Sequence, residues 1–419
     1  MPLNLTNEWL SRAGPALGFG ILLTFGSSFG QTYFLSLFAG ELRSEFGLSH
    51  GSLGWIYTAA TLCSALALLW LGKLADHYSI TALTISVLVG LATCAVFMAG
   101  VTSWVLLALL LFGLRLGGQG MLGHLALTAI PRWFTRERGR ALGIATLGFP
   151  AGEALLPIVV AFLLTLITWR ELWLYLGVSI VVILVPLLAL LGREVEGRVT
   201  NEPQLSSRAR GGTRPMSWTR KQVLRDRRFF ALLPGLLAPP FIMTGVLFHQ
   251  VHLVEIKGWA LTEFGACYLL YAVTATAVSL GCGSFVDRYR SSALLPVYLV
   301  PLGLGLALLA GTSSIFAGAV FMTLMGATAG AATIVLGALW AEMYGTDHLG
   351  AIRSVATVLM VAATAIAPGV VGWLLDQGIN LDWQLAAMAG YTLACALWFA
   401  LLRPMISSHY QAADMLSSL

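Results

Sequence analysis

The chain has 419 residues, of which 58% are hydrophobic and only 10% charged, with a mean hydropathy of +0.83. A water-soluble domain carries about 25% charged residues, so this composition excludes a soluble globular fold and points to an integral membrane protein. The formal net charge of +5 and pI near 9.0 raise the question of an anionic partner, which the positions of the charges answer.

Twelve apolar stretches reach the ~20 residues that a bilayer-spanning helix needs. They cover approximately 13–40, 51–74, 80–101, 103–129, 140–167, 170–192, 229–254, 261–284, 293–312, 314–338, 351–375 and 383–402. Membrane-barrel strands would instead alternate over ~10 residues. The expected fold is all-α, with twelve transmembrane helices in two six-helix halves, 1–192 and 229–419, joined by a hydrophilic linker at 193–228. Of the 24 Lys and Arg, 20 fall in the N-terminus, the even-to-odd loops and the C-terminus; Arg43, Arg170 and Lys257 fall on the other side, and Arg115 falls within a span. Basic loops stay cytoplasmic, which puts both termini inside and accounts for the basic excess without nucleic acid. The start, MPLNLTNEWLSRAGP, lacks the layout of a cleavable signal. The five cysteines, Cys63, Cys94, Cys267, Cys282 and Cys395, lie in apolar stretches without metal-type spacing and read as small buried hydrophobes.

The first stretch carries Ser27, Ser28, Gln31, Thr32 and Tyr33 in its second half. These residues either line an aqueous cavity or let helices pack closely; Gln31 and Tyr33 favour the cavity. The second stretch ends in GKLADHYS, residues 72–79, and the eighth in GSFVDRYR, residues 283–290. An offset of 211 aligns Gly72 with Gly283, Asp76 with Asp287 and Tyr78 with Tyr289. The same offset aligns Gly139 with Gly350 and Pro157 with Pro368. A fixed register at separate places indicates two related halves.

The fourth and fifth stretches flank a basic loop, PRWFTRERGR, and each holds a charge near its middle, Arg115 and Glu153. On insertion scales such a charge costs roughly 3 kcal/mol, so it needs a partner or water and a reason to be there. Arg115 lies 14 residues from Ala129, and Glu153 lies 13 residues from Arg140. At 1.5 Å per residue both sit ~20 Å from the inner face, where they can pair. Gln119 follows Arg115 by one turn. Two readings stay open: a static ion pair, or a working pair in which Arg115 binds an anion and the released Glu153 takes a proton.

The linker at 193–228 holds ten basic and four acidic residues, and residues 217–228 read either as an amphipathic surface helix or as disordered. In the seventh stretch, Pro234, Pro239 and Pro240 predict a break or kink. His249 and Gln250 follow in its outer third as candidates for the substrate path, with His252 and Glu255 at the outer surface. Thr364 stands where the repeat would place an acid matching Glu153, so the buried acid belongs to the first half alone.

With Gly72, Leu74, Ala75 and Asp76 matching its G-x-L-a-D-r-x-G-r loop, the chain resembles the major facilitator superfamily over nearly its whole length. His77, Ser79 and Ile80 depart from that loop. The resemblance implies a cytoplasmic latch involving Gly72, Asp76, Arg138, Asp287 and Arg288. It also implies an arginine signature, R-x-x-q-G, carried here by Arg115 with Gln119 one residue late. Residues 132–157 look most like the monocarboxylate and oxalate–formate branch, although the first stretch has no lysine.

The function expected is proton-coupled symport of a small organic anion by a monomer in a cytoplasmic (inner) membrane. Arg115, Gln119, Gln31, Tyr33, His249 and Gln250 would bind substrate, and Glu153 the proton. The partners would be substrate, protons and lipids, with no cofactor or metal. A proton-driven exporter of amphiphilic compounds is the alternative. A membrane enzyme or sensor is disfavoured, because no H-x-x-x-H or P-loop occurs.

Overall fold

The computed structural model describes residues 7–134, 138–199, 218–345 and 348–417. Among these residues, twelve helices are long and apolar enough to cross a membrane. They are α1 (Ala13–Gly30), α2 (His50–His77), α3 (Ile80–Ala99), α4 (Trp104–Trp133), α5 (Arg140–Leu163), α6 (Trp169–Glu196), α7 (Arg227–Phe248), α8 (Leu261–Gly283), α9 (Ser291–Gly311), α10 (Ile315–Tyr344), α11 (Ile352–Asp376) and α12 (Leu381–Arg403). The protein is a multi-pass integral membrane protein. In hydrocarbon every backbone polar group needs a partner within the protein, which makes the helix the default. Large apolar side chains such as Trp70, Leu190, Leu280 and Phe316 lie on the outside, where a bilayer solvates them.

The helix starts follow from local chemistry. Ser79, Ser103 and Ser314 cap α3, α4 and α10 by accepting a backbone N–H, and Thr168 with Glu171 forms a capping box on α6. The 211-residue register recurs in the helix starts. The starts of α2, α3 and α4 at His50, Ile80 and Trp104 return as the starts of α8, α9 and α10 at Leu261, Ser291 and Ile315.

The described chain forms two compact units. The first comprises Met1–Leu48 and Ile56–Ser207; the second comprises Ser49–Trp55 and Arg208–Leu419. In the first, α1 packs against α4, α5 and α6. In the second, α7 packs on α11 and α12, and α10 on α8 and α9.

Two expectations need correction. The three prolines do not break α7, which runs from Arg227 to Phe248 and ends at His249. Neighbouring helices take up carbonyls along the proline-bearing stretch: Tyr298 OH donates to Gly235 O (3.2 Å), Tyr391 OH to Pro234 O (3.1 Å) and Trp398 Nε1 to Ala231 O (2.8 Å). The end of the linker is neither free nor spread on the membrane surface. Trp218 N donates to Tyr344 O (2.9 Å), and Val223, closing the short helix Arg220–Val223, is buried in the core of the second unit.

Candidate functional site

The site is set by a break in the first helix. The 13–40 stretch is not one helix: it tightens at Ser27–Gly30, becomes extended at Gln31 (φ −80°, ψ 153°) and resumes at Thr32. Phe34 N and Leu35 N then bond to Gln31 O, and Gly30 O accepts from a side chain instead. Broken helices of this kind offer carbonyls at membrane depth only where the protein gives them partners. Opposite the break, Arg115–Leu122 of α4 winds as a π-helix, a wider turn that often marks functional positions. The two irregular stretches touch backbone to backbone at Gly30 and Gly118, where any Cβ would collide.

Arg115 is 3% exposed. Its Nη1 donates to Gly30 O (2.9 Å), with Thr32 Oγ1 at 3.5 Å. Its guanidinium lies 5.0 Å from the centre of the Tyr57 ring, and Tyr57 OH donates to Thr32 Oγ1 (2.8 Å). Its Nε is buried without a hydrogen-bond partner among the described residues. No carboxylate pairs with it among the described residues.

Glu153 lies on a different side of α1. Gly20, Thr24 and Ser28 of α1 face Ala145, Gly148 and Gly152 of α5, at a spacing that lets the backbones close up. Thr24 Oγ1 donates across this contact to Ala145 O (2.7 Å). Residue 152 packs on Ser28 and Tyr33, and Glu153 next to it is half-buried within electrostatic reach of the Tyr33 hydroxyl. Among the described residues it makes no hydrogen bond or ion pair. The expected Arg115–Glu153 pair is therefore absent here: α4 and α5 each dock on α1, and α1 engages each charge separately.

The other expected residues fall in several places. Gln31 and Tyr33 lie at the α1 break, Gln31 half-buried and Tyr33 buried, and Gln119 is exposed on the π-helix. His249 is 4% exposed with Nε2 3.1 Å from Pro368 O, and Gln250 is fully buried and accepts from Tyr268 OH (2.8 Å). Both are held inside the second unit. Tyr57 and Thr32, which shape the Arg115 site, carried no sequence signal of a role beside the arginine.

At the end of α2, Asp76 pairs with Arg132, whose Nη1 also donates to Ala75 O (2.6 Å). His124 Nε2 lies 3.1 Å from Gly72 O. The side chains of Arg138 and Asp287 lie outside the described residues; Arg288 is exposed and stacks on Tyr289. The Asp76–Arg132 pair is solvent-accessible on both sides, 62% and 41%. Asp76→Asn is therefore expected to lower stability by less than about 1 kcal/mol, a shift of at most a few degrees in thermal unfolding in detergent.

The sequence matches the family model "Major Facilitator Superfamily" over residues 20–260. No curated protein matches it. Among solved structures, it is similar to a bacterial homologue of the human lysosomal transporter Spinster in an inward-facing, unoccupied conformation: 15% identity, 96% of this chain and 97% of the other covered, TM-score 0.61. It is also similar to the nucleoside transporter NupG, at 16% identity, 92% and 98% coverage and TM-score 0.66. At these identities the likeness is one of fold.

Proposed function

Since the chain belongs to the major facilitator superfamily, and is thus a secondary transporter working by alternating access and not an enzyme, we propose that it moves a small organic anion together with protons. One observation carries the reading: Arg115 is buried without a carboxylate partner among the described residues. An ionisable group at membrane depth marks a functional site by default, and for a cation with no counter-charge among the described residues the fitting ligand is an anion. The planar guanidinium, with its Nε edge uncommitted, suits a carboxylate. Gln119, Gln31 and Tyr33 would contribute further contacts, and the resemblance to the monocarboxylate and oxalate–formate branch points the same way. Glu153, which has no ion-pair partner among the described residues either, is the proton site of this reading. The topology proposed with it has both termini in the cytoplasm and the latch on that side, in a monomer of the inner membrane.

The test is uptake of labelled small carboxylates into proteoliposomes under an imposed inward proton gradient. Uptake is expected to exceed that without a gradient, and Glu153→Gln is expected to abolish the acceleration while leaving counterflow exchange intact. Equal uptake with and without the gradient defeats the proton coupling. A second reading, export of amphiphilic compounds, has one observation in its favour: an apolar groove of about 610 Å³ between α7, α11 and α12, lined by residues such as Phe241, Ile242 and Met388. Gradient-driven movement of an amphiphilic dye, without carboxylate transport, would select it.

A further inference from the structure

The helix that contains α8 runs from Leu261 to Tyr289, and α9 starts at Ser291. A single residue, Arg290, turns the chain from one helix into the next. Arg290 has φ 63° and ψ 156°, and among the described residues no other non-glycine residue has a positive φ. Glycine populates that region freely; any other residue meets its own Cβ there and is strained, whatever the rest of its side chain touches. The backbone is held on both flanks: Arg290 N donates to Val286 O (2.9 Å), and Arg290 O accepts from Ala293 N (3.3 Å).

The related turn in the first half closes without strain. By the 211-residue offset, Tyr78 and Ser79 match Tyr289 and Arg290. There the helix stops at His77, Tyr78 (φ −115°, ψ 158°) and Ser79 (φ −56°, ψ 133°) share the turn, and α3 begins at Ile80. Joining the two helices therefore does not require a strained residue. The strain at Arg290 comes from keeping Tyr289 helical, which leaves one residue to do what two do in the first half.

Strain of this kind persists only where the surroundings over-determine it. The group beside it is Glu342, in the last turn of α10. Ser291 N donates to Glu342 Oε1 (3.2 Å) and Oε2 (3.1 Å), and Ser291 Oγ donates to Oε2 (2.7 Å). Ser291 is fully buried, and a carboxylate is favoured at a helix N-terminus. The turn that carries Glu342 is anchored in its own right, since Tyr344 OH donates to Asp226 Oδ2 (3.0 Å) at the start of α7. In the first half the carboxylate comes from a different helix and grips different positions: Glu196 of α6 accepts from Ser79 Oγ (2.8 Å) and Thr81 N (3.1 Å).

We propose that the α8–α9 turn is a two-state catch. The grip of Glu342 on Ser291 holds the strained one-residue form. Its loss lets Tyr289 leave the helix, and the turn relaxes to the two-residue form seen at Tyr78 and Ser79. The catch shares no residue with the Arg115 site and stands whether or not the anion reading does.

The test is hydrogen exchange with mass spectrometry on the full-length protein in lipid nanodiscs, with rates corrected for intrinsic sequence effects. Arg290→Gly is expected to slow exchange in a peptide spanning residues 285–296 by roughly tenfold, because glycine adopts the turn without strain. Arg290→Ala keeps the Cβ and is expected not to slow it, which separates backbone strain from side-chain contacts. Ser79→Gly, at the relaxed turn, is expected not to slow exchange over residues 74–85. Glu342→Gln is expected to speed exchange over 285–296 by roughly tenfold in the wild-type background, as local opening becomes easier. In the Arg290→Gly background, where nothing drives relaxation, its effect should be much smaller. Ser291→Ala, which removes the 2.7 Å bond, takes the place of Glu342→Gln if that variant misfolds. Equal exchange in Arg290→Gly and Arg290→Ala overturns the proposal, because the backbone would then store no strain. A Glu342→Gln effect of the same size in both backgrounds also overturns it, because grip and strain would then be independent.

Discussion

Arg115→Met is expected to abolish anion binding without unfolding the protein. The buried guanidinium has one short hydrogen bond, to Gly30 O, a ring contact with Tyr57 and an orphaned Nε. A structural arginine at this depth would be neutralised, and its removal would strand a partner carboxylate at about 3–5 kcal/mol. No such carboxylate is present among the described residues, so truncation takes a donor from Gly30 O and, more weakly, from Thr32 Oγ1, and removes a charge that the bilayer interior disfavours. Stability should therefore hold or rise, as it does where a strained functional group is replaced. Loss of a desolvated partner to a bound anion costs about 2–5 kcal/mol, or roughly 30-fold or more in affinity. The measurement is thermal unfolding with formate, acetate, lactate, oxalate and benzoate. One of these should raise the wild-type midpoint, by the equivalent of about 2.7 kcal/mol at a hundredfold excess over Kd, and leave Arg115→Met unmoved. Arg115→Lys should recover little, since a point charge cannot present the fork. A collapse of the apo midpoint in Arg115→Met would make the arginine structural.

The membrane class, the twelve helices and the repeat were all legible in the sequence, because they rest on composition and spacing. Arg115 and Glu153 stood out for the same reason: a charge inside an apolar run is conspicuous. Their mutual geometry was not legible. Equal depth on consecutive helices suggested a pair, but where each charge points depends on α1, whose close contacts with α4 and α5 join residues far apart in the chain. Tyr57 was hidden because an aromatic in an apolar helix looks like packing. The break at Gln31 was hidden because the apolar run continues through it. In α7 the local signal was present but was overruled, since Tyr298, Tyr391 and Trp398 satisfy carbonyls along the proline-bearing stretch.

The same dependence on α1 makes Gly118 the position where one added methyl group should do most damage. A Cβ there would stand 2.6 Å from Gly30 Cα and 3.2 Å from Ser27 O. The obstacles are backbone, which cannot rotate away, so α1 and α4 must separate. Overpacking a filled core costs about 1–3 kcal/mol where side chains can give way, and a backbone collision lies at the upper end of that range or beyond it. Gly118→Ala should lower the unfolding midpoint by many degrees, and Gly118→Val should leave little folded protein. Gly90→Ala in α3, where nothing lies within 4 Å, supplies the control: it should be neutral or stabilising by about 0.5–1 kcal/mol, from helix propensity alone. The contrast separates close approach from a general intolerance of substitution. If Gly118→Ala behaves like Gly90→Ala, the two backbones do not meet, and Gly30 O is not where Arg115 finds its hydrogen bond. If it behaves as expected, Gly30 and Gly118 are what bring the broken turn of α1 within reach of the guanidinium, and the anion site depends on two residues that never touch the anion.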